Sequence, residues 1–395
     1  MKPPGPHRRV RIVVEVILAL GGLAMIAWAL VANRAWYEHH MTWAFCARDP
    51  EELVKATRQR WVGAIVGVIV LLGVRPLVGR WASRRSARAL SMTLLRTAGA
   101  TALALLLCDV VLRYRPPKQG LRIDPPHAHT LPHPDYGWWL VPSYTTRLDY
   151  GDRVFQYQTG ALGERVAHAG DESDPALPTI LFPGESITSG IGLEYDETYP
   201  AMVSRQLGVQ SVNLGVQGYG NDEEYFRAKG TLPVFAKPLA IVSIVIAPQV
   251  ERNTWEGKEH FELTRDGRLT RVSATPELIR NSPVRDLFRR IVRYRSDEAI
   301  GVTRALLRSM RDLARARGAY PFFVYTHWGP PCLPDETGAP SQIRALFEGE
   351  DLDYVYVDLE GTWVESIHHP GVEGHKRIAD AIVRELRGKI PLAHE

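Results

Sequence analysis

The sequence predicts an α/β protein with a mostly parallel sheet, preceded by a helical transmembrane region. Three observations lead there. Three long apolar runs precede residue 115, strand-like and helix-like runs alternate from residue 150 onward, and Ser186 stands where the first of those strands turns into a helix.

The first apolar run spans Ile12 to Ala32 and is interrupted only by Glu15. The second runs from Trp61 to Val74 and, after Arg75-Pro76, on to Leu77-Val78. The third covers Leu94 to Leu112, with Arg96 near its start and Asp109 near its end. A bilayer core needs about 20 predominantly apolar residues, which the first and third runs supply. The second spans only if Arg75 snorkels toward a headgroup.

Lys2, Arg8, Arg9 and Arg11 precede the first run, and Arg75, Arg80, Arg84, Arg85 and Arg88 lie between the second and third. The positive-inside rule puts both groups in the cytoplasm. The loop 33–60 and everything after the third run then lie outside. Without the second span, the large domain returns to the cytoplasm. A cleaved signal peptide is disfavoured because the first run is long and further apolar runs follow.

Residues 1–115 are thus read as a membrane region with about three helices, 116–150 as a Pro/His-rich junction, and 151–395 as the α/β domain. Pro116-Pro117, Pro125-Pro126, Pro132 and Pro134 exclude regular helix from the junction. His127, His129 and His133 read there as solvated linker residues. The 395 residues carry 45% hydrophobic side chains, enough for a sizeable core, and a net charge of +4, too small to argue for nucleic acid. Cys46, Cys108 and Cys332 form no CxxC pair, so neither a zinc site nor a disulfide framework is indicated. No HExxH or paired Asp/His motif calls for a metal, and no cofactor is expected.

In the α/β region the strand-like runs are Thr179–Phe182, Gln210–Leu214, Ala240–Ala247, Pro321–Thr326 and Tyr354–Val357. The helix-like runs are Tyr199–Leu207, Asp222–Lys229, Ile300–Arg317 and Gly374–Leu386. Val302, Ala305, Leu306, Met310 and Leu313 recur near a 3.6-residue spacing and mark a core-facing stripe. The arginines at 285–295 read as a solvated face.

Open α/β sheets bind ligands at the carboxyl edge of their strands, where Ser186 falls. A serine at a helix start is also a common N-cap, so it needs a base and oxyanion donors to be a nucleophile. His369, in a loop before the last helix, is the candidate base, with adjacent His368 as its rival. His375 lies inside the helical pattern and reads as structural. The glycine-rich stretch Asn213-Leu-Gly-Val-Gln-Gly218, on the same edge, is able to bring a backbone N–H close to a reacting carbonyl.

Together these pieces resemble the SGNH (GDSL-type) hydrolase family over roughly residues 134–390. Gly184-Glu-Ser186 looks like the family's Gly-Asp-Ser block, and Asn213–Gly218 like the block supplying the oxyanion glycine. His369-Pro370 looks like the terminal histidine block. The lead-in Asp135-Tyr-Gly-Trp-Trp139 and the stretch Thr159–Arg165 are also family-like. The resemblance implies a flavodoxin-like α/β/α sandwich and serine esterase or acyl-transfer chemistry, with Gly218 as an oxyanion donor.

Two departures matter. The family's oxyanion asparagine falls in Ile246–Val250, where Gln249, or Asn253 after a local shift, is the available substitute. The acid three residues before His369 is Ser366, which leaves Glu365 to orient a histidine or the site to work as a Ser–His dyad. Two readings follow. One is a membrane-anchored, extracytoplasmic esterase or O-acyltransferase acting on an ester, possibly O-acetyl, of a cell-surface glycan or lipid. The other is a catalytically degenerate domain that binds a glycan or a protein partner.

Overall fold

The computed structural model describes residues 6–33, 36, 50–113, 129–133, 137–149, 153–255, 258–274, 296–327, 341–364, 366–367 and 369–392. Cys46, Cys332, His127 and the arginines at 285–295 lie outside them. The chain divides into two compact units, one holding the amino-terminal helices and the other the sheet.

In the first unit, α1 (Pro6–Val31) packs against α2 (Pro50–Ile69), which continues through a π-helical turn, Val70–Val74, into α3 (Arg75–Ser83). The turn has a local cause. Pro76 has no N–H and its ring crowds the preceding turn, so the ladder shifts and Arg75 N–H bonds Val70 O, five residues back. The helix therefore persists through Arg75-Pro76. Thr57–Ser83, like Arg11–Val31, is long and apolar enough to cross a bilayer. The third apolar run lies within α4 (Ala87–Arg113), where Leu103, Leu106 and Leu107 are exposed. α1 and α2 meet at Gly22 and Gly67, where a Cβ on either residue would fall within 3 Å of the other's carbonyl oxygen. Small residues at a crossing let helix backbones approach this closely.

The second unit opens with a hairpin of β1 (Thr130–His133) and β2 (Gly137–Leu140). The antiparallel strands β3 (Thr145–Asp149), β4 (Val154–Thr159) and β5 (Arg165–Val166) follow. Then come β6 (Pro178–Gly184), α5 (Ser186–Ser189), α6 (Tyr199–Leu207), β7 (Gln210–Gly215), α7 (Asn221–Thr231), β8 (Lys237–Val245) and α8 (Ala247–Arg252). A second hairpin, β9 (His260–Leu263) with β10 (Leu269–Val272), precedes α9 (Ser296–Arg315), β11 (Tyr320–His327), α10 (Ser341–Phe347) and β12 (Tyr354–Asp358). The chain ends with the short pair β13 (Trp363–Val364) and β14 (His369–Pro370), then α11 (Val372–Leu386).

The main sheet runs β12-β11-β8-β6-β7-β5-β4-β3. Its first five strands are parallel, and numbered by appearance their order is 2-1-3-4-5, the flavodoxin-like winding. The order reverses between β6 and β8, so the crevice lies above the carboxyl end of β6. β3 to β5 extend the sheet beyond β7 with alternating burial. β3 and β4, Thr145–Thr159, straddle the boundary read at residue 150, yet they pair directly across it.

Period-2 alternation splits the core. Ile180, Phe182, Val242 and Ile244 face α6 and α11, while Leu181, Ile241 and Val245 face α7, α9 and α10. Both faces of the parallel sheet are covered, which is why its strands read as continuous apolar runs. β8 stops at Val245, two residues before the expected end, because Ala247-Pro248 starts α8. Within the α9 stripe, Val302 and Leu306 pack on Phe261 of the second hairpin rather than on the main sheet.

One buried ionic cluster braces the start of α7. Lys258 Nζ donates to Asp222 Oδ1 at 2.7 Å and is ion-paired with Glu223 Oε1, all three side chains being nearly inaccessible. Glu223 Oε2 also accepts the Gly220 N–H at 2.6 Å. Burial, reinforced by Asp222 and opposed by Lys258, pushes Glu223 well above the usual carboxylate range. Lys258→Met leaves two buried carboxylates without their cation and is expected to cost about 3–5 kcal/mol. Urea unfolding of the detergent-solubilised chain measures this, and a loss below about 1 kcal/mol would show that the cluster bears little weight.

Candidate active site

Three loops at the carboxyl edge of the sheet build the site. β6 ends at Gly184, where a Cβ would collide with Thr188 Oγ1 at 1.8 Å, so only glycine lets α5 fold back onto the strand. Glu185 caps α5, its Oε1 accepting the Ile187 N–H at 2.8 Å. Ser186 is thereby fixed at the first helical position. Its own N–H makes no hydrogen bond among the described residues, as expected at a helix start.

The second loop follows β7. Val216 N–H bonds Gly184 O at 3.0 Å and ties the loop to the end of β6. Gly218 is exposed, takes φ +82°, and its N–H is unspent among the described residues. The turn is gripped by Trp138 of β2. The indole Nε1–H donates to Gln217 O at 3.1 Å, Tyr219 Oη donates to Trp138 O, and the Trp138 and Tyr219 rings meet edge to face at 5.6 Å.

The third loop carries His369. β14 pairs with β13, setting Val364 opposite His369 and Trp363 opposite Pro370, and Gly371 N–H bonds Thr362 O at 2.8 Å. The Trp363 ring stacks on the imidazole at 6.2 Å with an 11° tilt. His369 Nε2 lies 2.8 Å from Ser186 Oγ, and Nδ1 lies 2.8 Å from Ile367 O. A carbonyl oxygen only accepts, so Nδ1 carries the proton and Nε2 turns its lone pair to the serine.

Ser186 Oγ has a second partner, Glu185 Oε2. A hydroxyl has one proton and rotates freely, so the proton faces either the carboxylate or the imidazole. Arg252, at the end of α8, places Nη1 3.7 Å from that same Glu185 oxygen and donates to Tyr219 O at 3.1 Å.

Of the residues singled out from sequence, Ser186 and His369 are in direct contact, and Gly218 sits on the neighbouring loop. Glu365 and the rival base His368 lie outside the described residues. The group found on Nδ1 is instead a backbone carbonyl, which no side-chain pattern signals. His375 accepts the Tyr199 N–H on Nδ1 at 3.1 Å, and burial above all, with Arg165 adding, pulls its pKa down to about 3. It is a neutral structural histidine.

Gln249 must be reassigned. It is fully buried, with Oε1 accepting the Ile246 N–H at 2.9 Å and Nε2 donating to Glu224 Oε1. No substrate reaches it, so it is a buttress and not an oxyanion donor. Asn253 is equally buried and spent, accepting the Asn221 N–H at 2.6 Å and donating to Thr303 Oγ1 at 2.8 Å.

Two residues outside the sequence-based set shape the site. Arg252 carries no sequence signal, being one arginine on a short helix. Arg165 belongs to the Thr159–Arg165 stretch. It is buried against Tyr157, donates from Nη1 to Ser189 O at 2.6 Å and Gly190 O at 2.8 Å, and reaches Leu193 O through Nη2. It fixes the exit of α5.

No protein-family model matches the sequence, and no curated protein matches it. Among solved structures, the chain is similar to a G-D-S-L family lipolytic protein of Desulfitobacterium hafniense, with 15% identity, a TM-score of 0.30, and coverage of 52% of this chain and 98% of that one. It is also similar to an acetyl xylan esterase of Butyrivibrio proteoclasticus, with 15% identity and a TM-score of 0.32, and to a family two carbohydrate esterase of Clostridium thermocellum, with 14% identity and a TM-score of 0.32. Each of these two pairs spans 55% of this chain and 66% of the other.

Below the site, burial pushes Glu224 up to about 8, with the nearby Glu185 adding and hydrogen bonds from Ser243, Asn221 and Gln249 opposing. The folded state thus holds a proton that the unfolded chain releases near the ordinary carboxyl value of 4.5. Between these values the native state binds more protons, so this group's contribution falls as pH rises and is fully present only below the unfolded pKa. Glu224→Gln is expected to flatten that slope. Urea midpoints of wild type and variant compared at pH 5 and pH 8 check it, and parallel pH dependences would contradict it.

Proposed function

We propose that the α/β unit is a serine ester hydrolase or O-acyltransferase that works through an acyl-Ser186 intermediate. The observation that carries this reading is the Ser186 Oγ–His369 Nε2 contact at 2.8 Å, with the imidazole tautomer set by Ile367 O. Ser186 Oγ attacks an ester carbonyl carbon while His369 Nε2 takes the hydroxyl proton. The carbonyl π pair moves onto oxygen, where the N–H groups of Ser186 and Gly218 receive it. On collapse the C–O bond to the leaving alcohol breaks, and His369 returns the proton to that alcohol. Water or an acceptor hydroxyl then attacks the acyl-enzyme, with His369 again as base.

The carbonyl on Nδ1 performs part of the work of a triad carboxylate. It fixes tautomer and ring orientation, but it is neutral and stabilises the imidazolium less. A functional Ser–His dyad with modest turnover is the expected result.

The location half of the proposal rests on the two apolar helices, on a third crossing by the run Leu94 to Leu112, and on the arginines at 75–88; by the positive-inside rule these support a cytoplasmic turn and an extracytoplasmic α/β unit. An esterified cell-surface glycan or lipid is then the accessible substrate. The enclosed Gln249 and Asn253 favour the alternative, a degenerate domain that binds a glycan or partner.

The detergent-solubilised chain should react with a fluorophosphonate probe at Ser186 and hydrolyse an aryl acetate. Ser186→Ala should abolish labelling, and His369→Ala should slow hydrolysis by about 1,000-fold or more. Folded wild-type protein that neither labels nor turns over at high concentration would favour the binding module.

A further inference from the structure

The oxyanion site described so far has two backbone donors and a gap. The side chains expected to fill it, Gln249 and Asn253, are sealed inside. The site also holds an opposing charge, because the Glu185 carboxylate touches the nucleophile's own oxygen. An alkoxide forming on a carbon bonded to Oγ therefore develops beside a carboxylate, which raises the barrier unless a cation intervenes.

Arg252 meets that need. It ends the short helix after β8, next to the point where strand order reverses. Its guanidinium joins the two loops that carry the backbone donors, with Nη1 bonded to Tyr219 O, one residue past Gly218, and lying against the Glu185 oxygen that Ser186 Oγ also contacts. The side chain is 31% exposed, whereas the Glu185 side chain it faces is sealed. Nε and Nη2 make no hydrogen bond among the described residues, which leaves N–H donors unspent.

We propose that Arg252 is the third oxyanion donor, a catalytic residue of the acyl-transfer reaction. The inference rests on the serine reading above. When the Oγ–C bond forms and the carbonyl pair moves to oxygen, an unspent guanidinium N–H donates to that oxygen. Arg252 stays protonated throughout, and the hydroxyl proton goes to His369. The hydrogen bond is charge-assisted and strengthens as the oxygen gains charge, so it favours the transition state over the bound ester.

The test uses the full-length chain in detergent, 4-nitrophenyl acetate as the neutral ester, and phenylboronic acid as a tetrahedral analogue. Arg252→Gln should lower kcat by about 100- to 1,000-fold with KM within about threefold, the loss typical of one oxyanion donor. Arg252→Lys, which keeps the charge, should retain more activity. Phenylboronic acid should bind the Gln variant more weakly in proportion to its kcat, and methylguanidinium should partly rescue Arg252→Ala but leave wild type unchanged. A purely structural role would produce neither the boronate effect nor the rescue.

An Arg252→Gln protein with wild-type kcat overturns the inference. So does a loss confined to KM, which would make Arg252 a substrate-binding group. A kcat loss without weakened boronate binding or rescue does the same. In each of those cases Ser186 labelling stays intact and the serine reading stands. Loss of labelling and turnover in wild type itself overturns both.

Discussion

The short bond between His369 Nε2 and Ser186 Oγ joins parts of the chain 183 residues apart, and the rest of the α/β unit arranges its two ends. On the serine side, Gly184 lets α5 fold against β6, Glu185 caps it, and Arg165 holds its exit by three carbonyls. On the histidine side, a two-residue ladder, a stacked tryptophan and the Ile367 carbonyl fix the ring. A neutral hydrogen bond of this kind adds only about 1 kcal/mol to stability. Its geometry is therefore imposed by the surrounding fold rather than by the bond itself.

Beneath the loops lies a layer of polar groups that the parallel sheet would not need for stability. Glu224, Gln249, Asn221, Asn253, Ser243 and Thr303 bond one another, and Lys258 joins Asp222 and Glu223 beside them. Buried networks of this sort are costly unless satisfied, and they fix one arrangement when they are. Here they set the start of α7 and the whole of α8, the two segments that flank the loop carrying Gly218. Gln249 and Asn253 serve this layer, which is why neither reaches the crevice.

Much of this was legible in the sequence. The five parallel strands were visible as apolar runs, because burial on both faces removes alternation. The α9 stripe was visible because one helix face meets the core. Ser186 and His369 stood out by type and by position at strand ends. β3 falls in the stretch that the prolines mark as a junction, and β4 and β5, though Val154-Phe-Gln-Tyr-Gln-Thr159 alternates, lie before the first of the long apolar runs that mark the parallel strands. The persistence of the second apolar helix through Arg75-Pro76 depended on a backbone shift, and the environments of Gln249 and Arg252 depended on contacts made across the fold. Residue identity alone carries neither kind of information.

The carbonyl behind His369 has a consequence for how such a protein drifts over generations. Every amino acid at position 367 presents the same C=O, so the orienting group is immune to side-chain replacement so long as the local backbone path survives. A chain that loses the nearby acid thus keeps the ring's tautomer and orientation, at the expense of turnover. A lineage can thus shed the recognisable signature of a working centre while keeping the proton where it has to be. Judging lineages of this kind extinct by their spelling would discard live chemistry.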